Sequence, residues 1–301
     1  HDTTLGPALG GCRMCNYKSE EEALIDVLRL SEGMTYKAAI AGLKLGGGKS
    51  VIIGDSKKNK TTDLFESFGD FVNSLNGKYI TAEDVGTSEK DMEAVLRSTA
   101  HVTGVSKNLG GGGDPSPITA YGTYVGIKAS ANYKLNVSSL SGLKIVVQGV
   151  GSVGESLIAH LCNDGADIYI NDIDIDKMES VSNKYNVKTI DVKDLYSFDA
   201  DIYAPCALGA TVNDLTVNQF KYSIIAGAAN NVLLDSIKHG SALMDRGILF
   251  APDYVINAGG LINVANEIDG YNEQQVKAET EKIYDTLLNI YKISDREGIS
   301  T

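Results

Sequence analysis

The stretch Lys144-Ile-Val-Val-Gln-Gly149-Val-Gly151-Ser-Val-Gly154 leaves this chain few choices. A short apolar run ends on G-x-G-x-x-G, the pattern of a buried strand turning sharply into a helix. Gly149 permits the tight turn, Gly151 lets a pyrophosphate approach the backbone, and Gly154 allows close helix–sheet packing. Val150, Ser152 and Val153 complete the loop, and the helix N-terminus offers its N–H groups to phosphate. By itself the glycine pattern is weak, because a glycine turn on any sheet could produce it. Here a second apolar run answers it, Ile168-Tyr-Ile-Asn-Asp172, and Asp172 lies 18 residues beyond Gly154. A carboxylate there accepts hydrogen bonds from an adenosine ribose and repels a 2′-phosphate, which points to NAD rather than NADP. Asp174 and Asp176 read as solvated loop charges.

The 301 residues suffice for two domains, and 43% hydrophobic content provides a sizeable core. A net charge of −12 disfavours the polyanions, nucleic acid and anionic membrane, as partners. No apolar run approaches the length needed to cross a bilayer. The opening at His1 carries no charged n-region, h-region or cleavage site, so a cytoplasmic protein is expected. The start without methionine and the abrupt Gly298-Ile-Ser-Thr301 read as cut termini. Of the four cysteines, Cys12 and Cys15 form a lone C-x-x-C. No second pair or histidine run completes a zinc site, so no metal is expected and the thiols read as free. His1, His101, His160 and His239 form no cluster and receive no role.

Apolar runs alternate with amphipathic stretches, the mark of a β/α protein. A capping box from Ser19 to Glu22 starts a helix before Ala23. Strands are expected at Val51–Ile53 and Tyr79–Ala82, and helices at Leu64–Leu75 and Asp91–Leu96. The stretch Gly110-Gly-Gly-Gly-Asp114-Pro-Ser-Pro117 reads as a hinge or crossover. A long helix over Thr119–Tyr133 then leads into a second half. Lys144–Gln148, Asp167–Asn171, Asp201–Ala204, Tyr222–Ala226 and Ile248–Ala251 are its candidate strands, forming an open, mostly parallel sheet. The expected architecture is α/β with two domains: an N-terminal substrate and catalytic domain, residues 1–116, and a doubly wound dinucleotide-binding Rossmann domain, residues 117–285. The active site is expected in the cleft between them.

The first half carries the more unusual residues. Gly33-Met-Thr-Tyr-Lys37 and Gly42-Leu-Lys-Leu-Gly46-Gly47-Gly48-Lys49 each end on a lysine. Glycine costs about 1 kcal/mol within regular structure, so three in succession suggest backbone held close to a ligand. A phosphate loop would require glycine at position 43, which is Leu43. Thr81-Ala-Glu-Asp84-Val-Gly86 adds a carboxylate at the end of a strand. A lysine and a carboxylate at strand ends, with a dinucleotide fold, suit proton transfer during amine chemistry.

These residues and their order resemble the glutamate/leucine/phenylalanine/valine dehydrogenase family, most closely its leucine dehydrogenases. The resemblance runs through GPALGG from Gly6, GMTYKAA from Gly33, GLKLGGGKSVI from Gly42 and TAEDVG from Thr81. It continues through PSPITAYG from Pro115, VVQGVGSVG from Val146, APCALGA from Ala204, AGAANN from Ala226 and APDYVINAGGLINVANE from Ala251. It implies that Lys37 holds the substrate α-carboxylate and that Gly10 and Gly11 line the substrate site. Lys49, with its pKa depressed by burial and a neighbouring cation such as Lys37, activates the attacking water. Asp84 exchanges protons with the substrate nitrogen, Asn257 contacts the substrate, and Thr119 and Asn231 contact the nicotinamide end of NAD. Residues 286–301 return towards the first domain, and the enzyme is a homo-oligomer.

Glutamate-specific relatives place a lysine before the pair that here is Gly10-Gly11; this chain has Leu9. Burying an unpaired glutamate charge costs several kcal/mol, so the implied substrate is apolar, with Leu9, Ala82, Leu261 and Val264 as its pocket. Leucine, valine and isoleucine are not ranked, since a methylene is worth only about 1–3 kcal/mol. Leu261 stands where leucine dehydrogenases tend to have valine. Asp114 stands where relatives often have asparagine, and Gly154 where they often have a tolerated alanine. The alternatives are a phenylalanine or tryptophan dehydrogenase and a non-catalytic NAD-binding regulatory protein.

Overall fold

A computed structural model of the chain describes residues 1–207 and 209–301. The chain divides into two compact units, His1–Pro115 with Gly260–Lys277, and Ser116–Gly259 with Ala278–Thr301.

In the first unit β1 (Ala8–Cys15) is the centre of a parallel sheet. On one edge it pairs with β2 (Gly46–Gly47) and β3 (Ser50–Ile53), on the other with β4 (Tyr79–Glu83). The sequence reading missed β1 because Gly10 and Gly11 weaken its strand pattern. Helix α1 (Glu20–Ile40) is longer than the periodicity suggested and carries Gly33 through Lys37. Ser19 caps it through the Glu22 N–H at 3.1 Å, but the Glu22 carboxylate accepts from Lys18 rather than Ser19. Helices α2 (Thr62–Ser74) and α3 (Glu89–Leu96) complete this part of the unit. Phe65, Met92 and Val95 from these helices pack on Cys12 and Met14 of β1.

The second unit opens with α4 (Ser116–Leu135), whose Pro117 sits in the first turn, where its missing N–H costs nothing. There follow β5 (Lys144–Gln148), α5 (Ser152–Asn163), β6 (Asp167–Asn171), α6 (Ile175–Tyr185), β7 (Lys188–Thr189), β8 (Ile202–Pro205), β9 (Ile224–Ile225), α7 (Ser236–Asp245), β10 (Leu249–Phe250) and α8 (Asp253–Ile256). The six strands lie parallel in the order β10-β9-β8-β5-β6-β7. Read by sequence, that is the 3-2-1-4-5-6 order of a Rossmann dinucleotide-binding sheet. Tyr203, Phe220 and Tyr222 stack beneath it, with the two tyrosine rings 5.2 Å apart.

After α8 come α9 (Gly259–Ala265), α10 (Glu273–Glu281) and α11 (Ile283–Glu297). The structure corrects the expectation for the C-terminal end. Residues 260–277 rejoin the first unit, whereas 286–301 stay with the second. The reason is packing: the Tyr291 hydroxyl of α11 meets Ser130 of α4 at 2.8 Å, and its ring lies tilted against that of Tyr133, centroids 5.1 Å apart.

Candidate functional site

Within the first unit the break between β2 and β3 is occupied by Gly48 and Lys49. Leu9 pairs with Gly47 and Cys12 with Ser50, so one register runs across the break and sets Lys49 opposite Gly11. On the other edge Gly11 pairs with Ala82 and Cys12 with Glu83, which sets Asp84 opposite Arg13. Successive strand residues point to opposite faces, so Leu9, Arg13, Lys49 and Asp84 share a face. Lys49 Nζ lies 3.1 Å from Asp84 Oδ1, and its side chain is only 6% exposed. Arg13 Nε donates to Asp84 Oδ2 at 2.8 Å. The Asp84 backbone N–H donates to Thr87 Oγ1, which in turn donates to the Cys12 carbonyl.

Burial pushes the Lys49 ammonium below the ordinary lysine value; the Asp84 carboxylate opposes this and the Arg13 guanidinium adds to it. The Arg13 guanidinium of the neighbouring strand is thus a cation bearing on Lys49 that was not expected from the sequence. Burial would raise the Asp84 carboxyl, but Lys49 and Arg13 outweigh it and hold it below its usual range. Lys37 lies half-buried in the last turn of α1.

The glycine run has a different cause from the one its sequence suggests. A Cβ on Gly46 would stand 2.0 Å from the Asp2 carbonyl, one on Gly47 2.0 Å from the Thr35 nitrogen, and one on Gly48 2.9 Å from the Tyr79 ring. Their bareness serves packing of the protein on itself. Gly10 and Gly11 are equally constrained: a Cβ on Gly10 would meet the Gly48 carbonyl, and one on Gly11 would come within 2.9 Å of Asp84 Cβ. Close strand approach thus brings Lys49 and Asp84 together.

Leu9 is 1% exposed and packs in one cluster with Ile80, Leu261 and Val264. The structure brings these three pocket candidates together through α9; Ala82 is buried on β4 outside that cluster. Glu267, just beyond α9, accepts from the backbone N–H groups of Gly104 and Gly112 at 2.8 and 2.9 Å. It thereby ties the Gly110–Gly113 loop to the unit. Burial raises its carboxyl above the usual range.

In the second unit the three motif glycines have three separate reasons. Gly149 turns with φ +98° and donates to the Asn171 carbonyl at 2.7 Å. Gly151 caps α5, and a Cβ there would meet nothing within 4 Å, so the space before the helix N-terminus is open. A Cβ on Gly154 would stand 2.0 Å from the Gly149 carbonyl. An alanine at this position therefore requires a backbone shift. Asp172 follows β6 and accepts from the Val150 N–H at 2.6 Å and the Asp174 N–H at 2.9 Å, which fixes it against the glycine turn. Asp174 is not simply a solvated charge, because it caps α6 through the Lys177 N–H. Ser152 and Val153 open α5, and Val150 is buried beneath them.

Thr119 sits half-buried in the first turn of α4, and Asn231 is exposed with a left-handed φ of +51°. Asn257 is 5% exposed; its Nδ2 donates to the Ala228 carbonyl and Asn230 Oδ1, while Oδ1 is buried with no partner among the described residues. Leu208, within the APCALGA stretch, lies outside the described residues. All four cysteines are free; Cys12 is buried and Cys15 exposed. No metal-binding cluster occurs among the described residues. No described helix is long and apolar enough to cross a membrane. The sequence reading missed Arg13 and Glu267. Arg13 shares the face of Leu9 only once β1 is known to be a strand, and its pairing with Asp84 depends on strand register.

The family described as "Glu/Leu/Phe/Val dehydrogenase, dimerisation domain" matches residues 1–101, and "Glutamate/Leucine/Phenylalanine/Valine dehydrogenase" matches 167–295. The leucine dehydrogenase of Bacillus subtilis is 52% identical over 299 residues, 99% of this chain and 82% of that protein. The crystal structure of L-tryptophan dehydrogenase from Nostoc punctiforme superposes with a TM-score of 0.88 at 45% identity, covering all of this chain and 86% of that one. A hetero-hexameric glutamate dehydrogenase from Thermus thermophilus shares the fold, with a TM-score of 0.80 at 21% identity over 100% of this chain and 79% of its own. With the motifs in order along the chain and family matches over most of its length, the protein belongs to the glutamate/leucine/phenylalanine/valine family of amino-acid dehydrogenases.

Proposed function

We propose that the protein oxidatively deaminates a branched-chain apolar L-amino acid, leucine, valine or isoleucine, to its 2-oxo acid and ammonia with NAD as oxidant. The observation that carries the reading is the nearly buried Lys49 ammonium held 3.1 Å from Asp84 on the face that also presents Leu9.

The second unit's residues fit a dinucleotide. Gly151 leaves open space before a helix N-terminus, where N–H groups and the helix dipole favour a pyrophosphate. Asp172, at the end of β6 and held against the glycine turn, would accept from the adenosine ribose, and its charge favours NAD over NADP. Thr119 and Asn231 are assigned to its nicotinamide end. When bound, NAD accepts the substrate's α-hydrogen with its electron pair.

Lys37 pairs with the substrate α-carboxylate. Asn257 offers its unpaired Oδ1 to the substrate nitrogen. Loss of the α-hydrogen converts the amine to an imine. Lys49, whose ammonium form burial disfavours, takes a proton from water in its neutral form as the oxygen bonds to the imine carbon. Asp84 relays a proton to the nitrogen of the resulting carbinolamine. The carbon–nitrogen bond then breaks, releasing ammonia and leaving the 2-oxo acid. Leu9, Leu261 and Val264 receive the apolar side chain, and a glutamate carboxylate among them would have no counterion.

A homo-oligomer and a cytoplasmic location belong to the same reading. Leu24, Ile25 and Leu28 are exposed together on α1 within the part matched as a dimerisation domain, and the cysteines are unpaired. The test is NADH formation with a panel of L-amino acids. Turnover of branched-chain substrates with NAD, and little with NADP, is the expected result. Turnover of phenylalanine or tryptophan alone would move the protein to an aromatic-specific branch. No turnover with any amino acid would leave a dinucleotide-binding regulatory protein.

A further inference from the structure

Arg13 lies on the face of β1 that carries Leu9, with its side chain 23% exposed. Its Nε donates to Asp84 Oδ2 at 2.8 Å, and its Nη1 to Asp26 Oδ2 on α1 at 3.0 Å. The Tyr17 hydroxyl donates to the same Asp26 oxygen at 2.5 Å. Charged groups therefore alternate in a row: Lys49, Asp84, Arg13, Asp26. A planar guanidinium can hold two carboxylates at fixed angles, which an ammonium cannot.

We propose that Arg13 is a positioning residue for deamination: it clamps Asp84 against Asp26, takes up Asp84 Oδ2, and leaves Oδ1 to Lys49. This rests on the functional reading above and adds a residue to it. Asp84 has two oxygens that could each bind Lys49 in several orientations. With Oδ2 held by Arg13 and the backbone N–H held by Thr87, a single orientation remains. The Arg13 charge also opposes protonation of Lys49, while Asp26 offsets part of that charge. The balance between Arg13 and Asp26 thus sets the pH at which Lys49 becomes a base.

The titratable and charged groups that bear on Lys49 are Asp84, Arg13 and Cys12; Asp26 acts through Arg13, and the Tyr79 hydroxyl donates to the Gly10 carbonyl on the same sheet. Burial raises the Cys12 thiol to about 11 and Tyr79 beyond it, so neither titrates in the range to be read.

The experiment is the pH profile of kcat/KM for deamination in wild type, Arg13→Gln, Arg13→Lys and Asp26→Asn. Activity rises with pH as Lys49 loses its proton. Arg13→Gln removes a cation, so that limb should move up by about one unit. Asp26→Asn leaves the guanidinium charge less compensated, so the limb should move down. Arg13→Lys should keep the limb near its wild-type position while kcat falls several-fold, since charge is retained and the fork is lost. The titration of the Lys49 side chain, followed by NMR of 13Cε-labelled lysine and assigned with Lys49→Ala, should show the same displacements without turnover. Opposite shifts for Arg13→Gln and Asp26→Asn support the clamp, because a general loosening moves both the same way. Shifts in the same direction, or none, overturn it. If Arg13→Gln does not fold, Asp26→Asn decides alone: a downward shift supports the clamp and an unmoved Lys49 overturns it. A wild type inactive on every amino acid would overturn the functional reading only; the NMR titration would still decide the clamp.

Discussion

Lys49 Nζ stands 3.1 Å from Asp84 Oδ1 with both side chains largely withdrawn from water, 6% and 21% exposed. Taking two charges out of water costs several kcal/mol per ion, so such a pair is a poor device for stability alone. Its position at a strand break on the Leu9 face suits a proton relay.

Replacing Asp84 by asparagine should lower kcat at least about 100-fold, the usual scale for a lost acid–base group. The change also has a signature in folding. Asp84 is held below its ordinary value of 3.8 in the folded chain. A depressed carboxyl gives its stability fully above the unfolded value and loses it as pH falls through the folded one. Urea unfolding of wild type should therefore weaken more steeply below about pH 4 than that of Asp84→Asn. Equal slopes would mean the pair does not contribute as described.

Gly151 and Gly154 should respond in opposite ways to the same substitution. Gly151→Ala adds a methyl to open space, so the thermal midpoint should hold within about 2 °C, while NADH affinity, read by fluorescence titration, should fall more than about tenfold. Gly154→Ala puts a methyl 2.0 Å from the Gly149 carbonyl, and should cost about 1–3 kcal/mol of stability. Gly151→Ala binding NADH as wild type does would remove the pyrophosphate from that space.

Asp172 has two duties, and its removal should show both. Asp172→Ala loses a charge-assisted hydrogen bond from Val150 and the charge that repels a 2′-phosphate. NAD affinity should fall by about tenfold, and the preference for NAD over NADP should shrink by more than that. Isothermal titration with both cofactors separates the two effects; an unchanged preference would leave Asp172 a purely structural residue.

The second unit was largely legible in the sequence because each of its signals is local. A β-branched run, three glycines and a carboxylate 18 residues on all fall within one β-α-β stretch. The six-stranded order then follows from parallel crossovers. The first unit was less legible. Its central strand contains Gly10 and Gly11, which weaken a strand pattern, yet a side chain at either would strike neighbouring backbone. The three glycines before Lys49 read as ligand-facing and are instead packed against Asp2, Thr35 and Tyr79. Lys49 and Asp84 could be named from their motifs, but Arg13 could not. Its role depends on register between strands 71 residues apart, which sequence spacing does not encode. The return of residues 260–277 to the first unit was hidden for the same reason.

The most direct test compares NADH formation from L-leucine and NAD by wild type and Lys49→Ala, after confirming that both bind NADH equally well. Equal NADH binding separates a loss of chemistry from a loss of cofactor binding. With Lys49 as the general base, Lys49→Ala should lose about 1,000-fold or more in kcat, the upper part of the range for such a group. A variant that turns over leucine at the wild-type rate would contradict that role.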